Sequence, residues 1–152
     1  MGLLQMEKQS TAGKDYTIKQ ILYELIKANP TLKHDETVSQ IEQIFRKFGF
    51  YTTREYPIYL LKDGSGRAGR IDLVARKGKF RVAVEYDHHK LIKWKSFQKI
   101  VQIKPDIAIG ITGSGNMTTN MERAEKYLKY LKSALYIISL KDRKYQRLSR
   151  DI

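Results

Sequence analysis

Two short apolar runs carry acids where a buried strand tolerates none: Arg70-Ile71-Asp72-Leu73-Val74-Ala75 and Arg81-Val82-Ala83-Val84-Glu85-Tyr86-Asp87. Only Gly78 and basic neighbours separate them, so they are expected to form adjacent strands of a hairpin. Period-two alternation places Phe80, Val82, Val84 and Tyr86 on one face of the second strand, and Arg81, Ala83, Glu85 and Asp87 on the other. Glu85 and Asp87 then lie roughly 6.6 Å apart along the strand, and Asp72 can join them from its neighbour. Three converging carboxylates repel one another and lose hydration, which calls for a compensating cation. Hard oxygen ligands in this number suit Mg²⁺ or Mn²⁺ better than zinc. The plainer alternative is a solvated strand end whose acids pair with lysines. Asp72, standing at the matching place on the preceding strand, tips the reading towards a site.

Charge is the second clue. The 152 residues hold 29 Lys and Arg against 16 Asp and Glu, a formal net charge of +13. Residues 76–104 carry nine basic side chains and two acids, Glu85 and Asp87. A one-sided field of that density favours a polyanion and the release of its counterions, so nucleic acid is the expected partner, DNA first and RNA as an alternative. Arg70, Lys90, Lys93, Lys95 and Lys99 stand close enough in sequence to the acids to contact phosphates. No amphipathic anchor supports a membrane surface, and no run is long enough to span one.

His88 and His89 follow the acids at once. Adjacent residues of an extended chain point apart, and no thiol or third histidine stands at ligand spacing, so zinc is not indicated. His34 falls in a polar turn. Backbone contact with nucleic acid or plain exposure suits all three, His88 being the one nearest the acids.

The elements that must hold these groups follow from periodicity. Residues 1–15 are polar and irregular and are expected as a flexible N-terminal tail, leaving 16–152 as a single domain. Tyr16 to Ala28 carries the helical stripe Ile18, Ile21, Leu22, Leu25 and Ile26, ended by Asn29-Pro30. A second helix is expected from Asp35 to Phe48, stopped by Gly49. Strands are expected over 51–61, 70–76 and 79–87, and a helix over 94–104 with Trp94, Phe97, Ile100 and Val101 inward. Ile107 to Ile111 is wholly apolar, as in a buried central strand. A helix over 119–132 and a strand over 135–140 follow, and the basic segment 141–150 closes the chain. A DNA-reading helix pair at the start is the weaker option, since both stripes are spent on a core. With no cysteine there is no disulfide frame or thiolate site, and the opening residues lack secretory and myristoylation signals. A soluble, intracellular, cytoplasmic protein is expected.

The order α-α-β-β-β-α-β-α-β implies an α/β (α+β) fold with a central mixed sheet flanked by helices on both faces. With Gly69-Arg70-Ile71-Asp72 and Val84-Glu85-Tyr86-Asp87, this arrangement resembles the core of the PD-(D/E)XK nuclease superfamily, over roughly residues 36–112. That superfamily includes restriction endonucleases and archaeal Holliday-junction resolvases. In it an acid ends the second core strand and Glu-x-Lys lies on the third. Here Asp87 stands in place of the lysine. The resemblance implies a restriction-endonuclease-like core, Mg²⁺ or Mn²⁺ held by Asp72 and Glu85, and an acid from the core's first helix, here the one over 35–48, for which Glu42 is the candidate ahead of Glu36. It leaves two ways to fill the lysine's role. Asp87 can be a third ligand or a base, and it is guaranteed a common face with Glu85. Alternatively the ammonium has moved to Lys95 or Lys99 on the following helix, whose tilt the sequence does not set. The implied function is metal-dependent hydrolysis of DNA phosphodiester bonds, with a homodimer suited to cutting both strands. The rivals are a non-catalytic DNA-binding protein that keeps the fold, and an RNA-processing endonuclease.

Overall fold

The computed structural model describes residues 3–28, 33–59, 68–88, 91–113, 115–131 and 134–149. Six strands form one mixed sheet in chain order: β1 (Tyr51–Tyr59), β2 (Ala68–Lys77), β3 (Phe80–Asp87), β4 (Ile107–Thr112), β5 (Ala134–Ser139) and β6 (Lys144–Ser149). β1, β2 and β3 form an antiparallel meander, β3, β4 and β5 run parallel, and β6 turns back antiparallel to β5. Helices α1 (Leu3–Ala28) and α2 (His34–Lys47) cover one face, while α3 (Trp94–Ile103) and α4 (Met117–Glu125) cover the other. The α/β mixed sheet flanked on both faces is therefore as expected.

Alternation along β3 sorts the two cores. Phe80, Val82, Val84 and Tyr86 pack with Ile18, Leu22, Ile41 and Phe45 of α1 and α2. Ala83 faces Phe97 and Ile100 of α3 together with Ala108, Leu135 and Ile137. All six residues of β4 are buried, as suits a strand with neighbours on both edges and helices on both faces.

Four differences from the sequence reading have physical causes. Residues 3–15 belong to α1 rather than to a tail. The stretch is proline-free and rich in good helix formers, and Asp15 accepts hydrogen bonds from the Tyr136 hydroxyl (2.5 Å) and from Arg147 (3.0 Å), tying it to β5 and β6. The terminal basic segment contains β6, an edge strand whose lysines and arginines discourage pairing with another chain. The helix expected over 119–132 ends at Glu125 and gives way to a 3₁₀ turn at Leu128–Tyr130, where Tyr127 is stacked on Phe97, with centroids 5.2 Å apart. Trp94 does not turn inward; it remains 38% exposed.

The feature that shapes the site is a gap in the sheet. β2 and β3 pair from Lys77↔Phe80 as far as Leu73↔Val84 and no further. Beyond Val84, β3 stays with β4 to Asp87↔Thr112. β2 stays with β1, although Glu55 there adopts a φ of +49° and the pairing steps from Arg54↔Leu73 to Tyr56↔Ile71. Ile71 accordingly leaves the face of Leu73 and Ala75 and joins Val74 on the α3 side.

Candidate functional site

Backbone groups left unpaired by the parting strands must find other partners, and two carboxylates provide them. Asp72 N–H donates to Glu85 Oε2 at 3.1 Å, and Tyr86 N–H donates to Asp72 Oδ2 at 2.8 Å. The two side chains thus continue the ladder where the backbone stops, and they lie side by side for the same reason.

Helix α3 supplies the cation. It is clamped at both ends by side chains from one face of β3. Asp87 Oδ2 accepts hydrogen bonds from the Lys93 backbone N–H (3.1 Å) and the Ser96 hydroxyl (2.9 Å) at the helix start. The Arg81 guanidinium donates to the carbonyls of Ile103 and Lys104 at the helix end. An acid at the N-terminus and a base at the C-terminus both complement the helix dipole. The middle of α3 is thereby held over Glu85. Lys99 Nζ lies 2.5 Å from Glu85 Oε1 and donates to the Arg70 carbonyl at 2.8 Å.

Glu85 is 1% exposed. Burial, helped by the hydrogen bond and the charge of Asp72, pushes its carboxyl up to about 9, and Lys99 offsets only part of this. Its Oε1 is fully buried and, apart from the Lys99 charge, accepts no directed hydrogen bond among the described residues. A buried acid raised above its ordinary range, beside a second acid and in a cleft, makes Glu85 a candidate functional group.

The cleft holds about 470 Å³ and is lined by His34, Arg70, Asp72, Glu85, Lys95 and Lys99, among others. A larger cleft of about 830 Å³ lies between α1 and α2, but it has no convergent acids, and Lys47 spans it to Glu24 at 2.8 Å. Chemistry rather than size singles out the smaller one.

Of the residues picked from sequence, Asp72, Glu85 and Lys99 come together, and Arg70, Lys93 and Lys95 stand on the rim of the same cleft. Among the described residues neither Lys93 nor Lys95 forms an ion pair. Asp87 borders the cleft, and its Oδ2 is engaged by the start of α3, so Asp87 is seen anchoring that helix rather than grouped with Asp72 and Glu85 as a third ligand. Glu42 does not join the acids. It faces β1, accepting from the Thr52 hydroxyl at 2.7 Å and pairing with Arg46 at 3.4 Å. No group of three or more potential metal-ligating side chains converges among the described residues. Lys90 and His89 lie outside the described residues.

His34 is the residue that sequence reading missed. As the first residue of α2 it reaches across the gap, its Nε2 3.3 Å from Asp72 Oδ1 and its ring tilted against Tyr86, with centroids 5.4 Å apart. No local pattern connects positions 38 apart in the chain. His88 borders the cleft too, its Nδ1 3.2 Å from the Tyr86 hydroxyl.

No known protein family matches the chain, and no curated protein matches it in sequence. Among solved structures, AF1548, described as a protein of unknown function, is 14% identical with a TM-score of 0.42, over 59% of this chain and 52% of that one. SfsA of Pyrococcus furiosus, solved in complex with Ca²⁺, is 11% identical with a TM-score of 0.39, over 77% of this chain and 65% of that one. The chain spans less than two thirds of either protein. Likenesses this distant assign neither a family nor an activity.

Among the described residues, no helix is long and apolar enough to cross a membrane.

Proposed function

We propose that this chain is a metal-dependent nuclease that hydrolyses DNA phosphodiester bonds. The observation that carries the reading is the pairing of the Asp72 and Glu85 carboxylates where β2 and β3 part, with the Lys99 ammonium 2.5 Å from Glu85. The same residues and elements support a place in the PD-(D/E)XK superfamily, with its lysine moved from the third strand to the next helix.

The donors present suit Mg²⁺ or Mn²⁺. Mg²⁺ is commonly held by one or two carboxylates, with water and substrate phosphate completing its shell. The buried Glu85 Oε1, which accepts no directed hydrogen bond among the described residues, is already paired with one cation, the Lys99 ammonium, in whose place an ion could bind. When bound, the ion supplies Lewis-acid stabilisation of the phosphate and activation of the attacking water. Asp72 and Glu85 would hold it, Glu85 giving up the proton that burial favours. Lys99 would turn from Glu85 to a phosphoryl oxygen and stabilise the charge that develops there. Arg70, Lys93 and Lys95 would seat the phosphates on either side.

The engagement of Asp87 by the start of α3 and the absence of a third ligand among the described residues favour one rival, a DNA-binding protein that keeps the plan without cutting. Incubation with linear, circular and branched DNA, and with RNA, separates the two. Cleavage of DNA that requires Mg²⁺ or Mn²⁺ is expected. Salt-sensitive binding with no cleavage under either ion would favour the rival, and preferential cleavage of RNA would change the substrate.

A further inference from the structure

Trp94 is an unusual residue to leave in solvent. It opens α3, between Lys93 and Lys95, both of which border the cleft of Asp72 and Glu85. Its indole is nevertheless tethered. The Arg123 guanidinium and the Lys126 ammonium from the end of α4 and the turn after it each lie 5.2 Å from the ring, and Tyr127 stands 5.6 Å away. Arg123 is held in turn by a 3.1 Å hydrogen bond to the Ile92 carbonyl. Among the described residues none of Lys93, Lys95, Arg123 and Lys126 pairs with an acid. With these neighbours in place the tryptophan is still 38% exposed.

A half-exposed aromatic ring with two cations over it that pair with no acid among the described residues is a poor choice for core packing and a good one for a strand of unpaired nucleotides. Bases stack on such a ring whatever their identity, while the flanking ammonium and guanidinium groups follow the phosphates. Duplex DNA keeps its base faces stacked inside the helix and can offer this ring only backbone. We propose that Trp94, with Arg123 and Lys126, is a stacking platform for single-stranded DNA that adjoins the cleft through its neighbours Lys93 and Lys95, so that the preferred substrate carries unpaired nucleotides next to the segment that is cut. The link to a scissile phosphate rests on the nuclease reading; the binding platform does not.

Trp94 is the one tryptophan in the chain, so its emission reports on the platform directly. In metal-free buffer at fixed salt, the protein is titrated with a short oligothymidylate and, separately, with a blunt-ended duplex annealed from two strands and matched in total charge. Quenching by the single strand and little change with the duplex are expected. Trp94→Leu should weaken single-strand binding by about 10-fold, within the range of one lost stack, and leave duplex binding nearly unchanged. Trp94→Tyr should restore most of the loss, which guards against a folding defect in the leucine variant. Single-strand binding without quenching, or equal weakening for both DNAs, would overturn the platform. Quenching without ion-dependent cleavage would leave the platform standing and remove the nuclease reading, and cleavage without quenching would do the reverse.

Discussion

The two halves of the β2–β3 hairpin use similar sequence to opposite ends. Near the turn, from Lys77↔Phe80 to Leu73↔Val84, the backbone ladder is intact and Val82, Val84 and Leu73 are buried in apolar surroundings. At the open end the ladder stops and two acids stand in for it. The paired half derives stability from burial, roughly 25 cal/mol per Å² of apolar surface. The open half gives stability up, because Glu85 is buried as an acid beside another acid. That is the arrangement expected of a site prepared for a cation and a phosphate rather than for the fold.

Exchanging the chemistry of the halves should break the protein. Val82→Asp would bury an uncompensated carboxylate in the α1/α2 core, costing about 3–5 kcal/mol, and far-UV circular dichroism in a urea titration should show a largely unfolded chain. A folded Val82→Asp would mean that the paired half is no more demanding than the open one. Lys99→Met tests the open half with the fold kept. On the nuclease reading, loss of a charge aimed at the developing oxyanion should lower single-turnover cleavage by about 10²–10³-fold, with DNA affinity falling by far less because many other cations would still be free to contact phosphate. An unchanged cleavage rate would remove Lys99 from the chemistry.

The contrast between Asp87 and Glu85 sharpens the comparison on a smaller scale. Asp87→Ala removes the clamp on the start of α3, worth about 1–2 kcal/mol by analogy with N-caps, and should lower Tm by about 2–8 °C. Glu85→Gln should act in the opposite direction in metal-free buffer. Glu85 is raised from 4.5 in the unfolded chain to about 9 in the fold, so the folded state keeps a proton that the unfolded state releases. Its contribution is full below pH 4.5 and drains away as pH rises through 9. The glutamine variant has no such drain and should gain on the wild type as pH increases, by up to about 4 kcal/mol between pH 5 and pH 8 at roughly 1.4 kcal/mol per pH unit. Parallel Tm profiles for the two proteins between pH 5 and 9 would contradict the proposed burial of an acid.

What could be seen in the sequence divides along the same lines. Period-two alternation identified the faces of β3 correctly, and with the hairpin it brought Glu85 near Asp72. It could not say what covers a face. Asp87 was given to the metal because its neighbour in α3, the Ser96 hydroxyl, depends on where the loop after β3 sets the helix down. Lys99 could be named but not placed, since its position follows from the two clamps, Asp87 and Arg81, acting together. His34 and the helical run before Asp15 depend on partners far along the chain, Asp72 in one case and Tyr136 with Arg147 in the other. Glu42 matched the expected element and spacing, yet the nearby Thr52 hydroxyl and Arg46 claim it. The exposure of Trp94 was hidden by a helical stripe that runs through Phe97 and Ile100.

The central claim is that the paired carboxylates at the gap perform chemistry while the third acid only holds a helix. Single-turnover cleavage of labelled DNA under Mg²⁺ or Mn²⁺ by folded Glu85→Gln and Asp87→Asn proteins, measured side by side with the wild type, tests it most directly. Glu85→Gln should lose cleavage by about 10²-fold or more without losing thermal stability, and Asp87→Asn should cut at a rate close to wild type. Undiminished cleavage by Glu85→Gln, or loss confined to Asp87→Asn, would contradict the account.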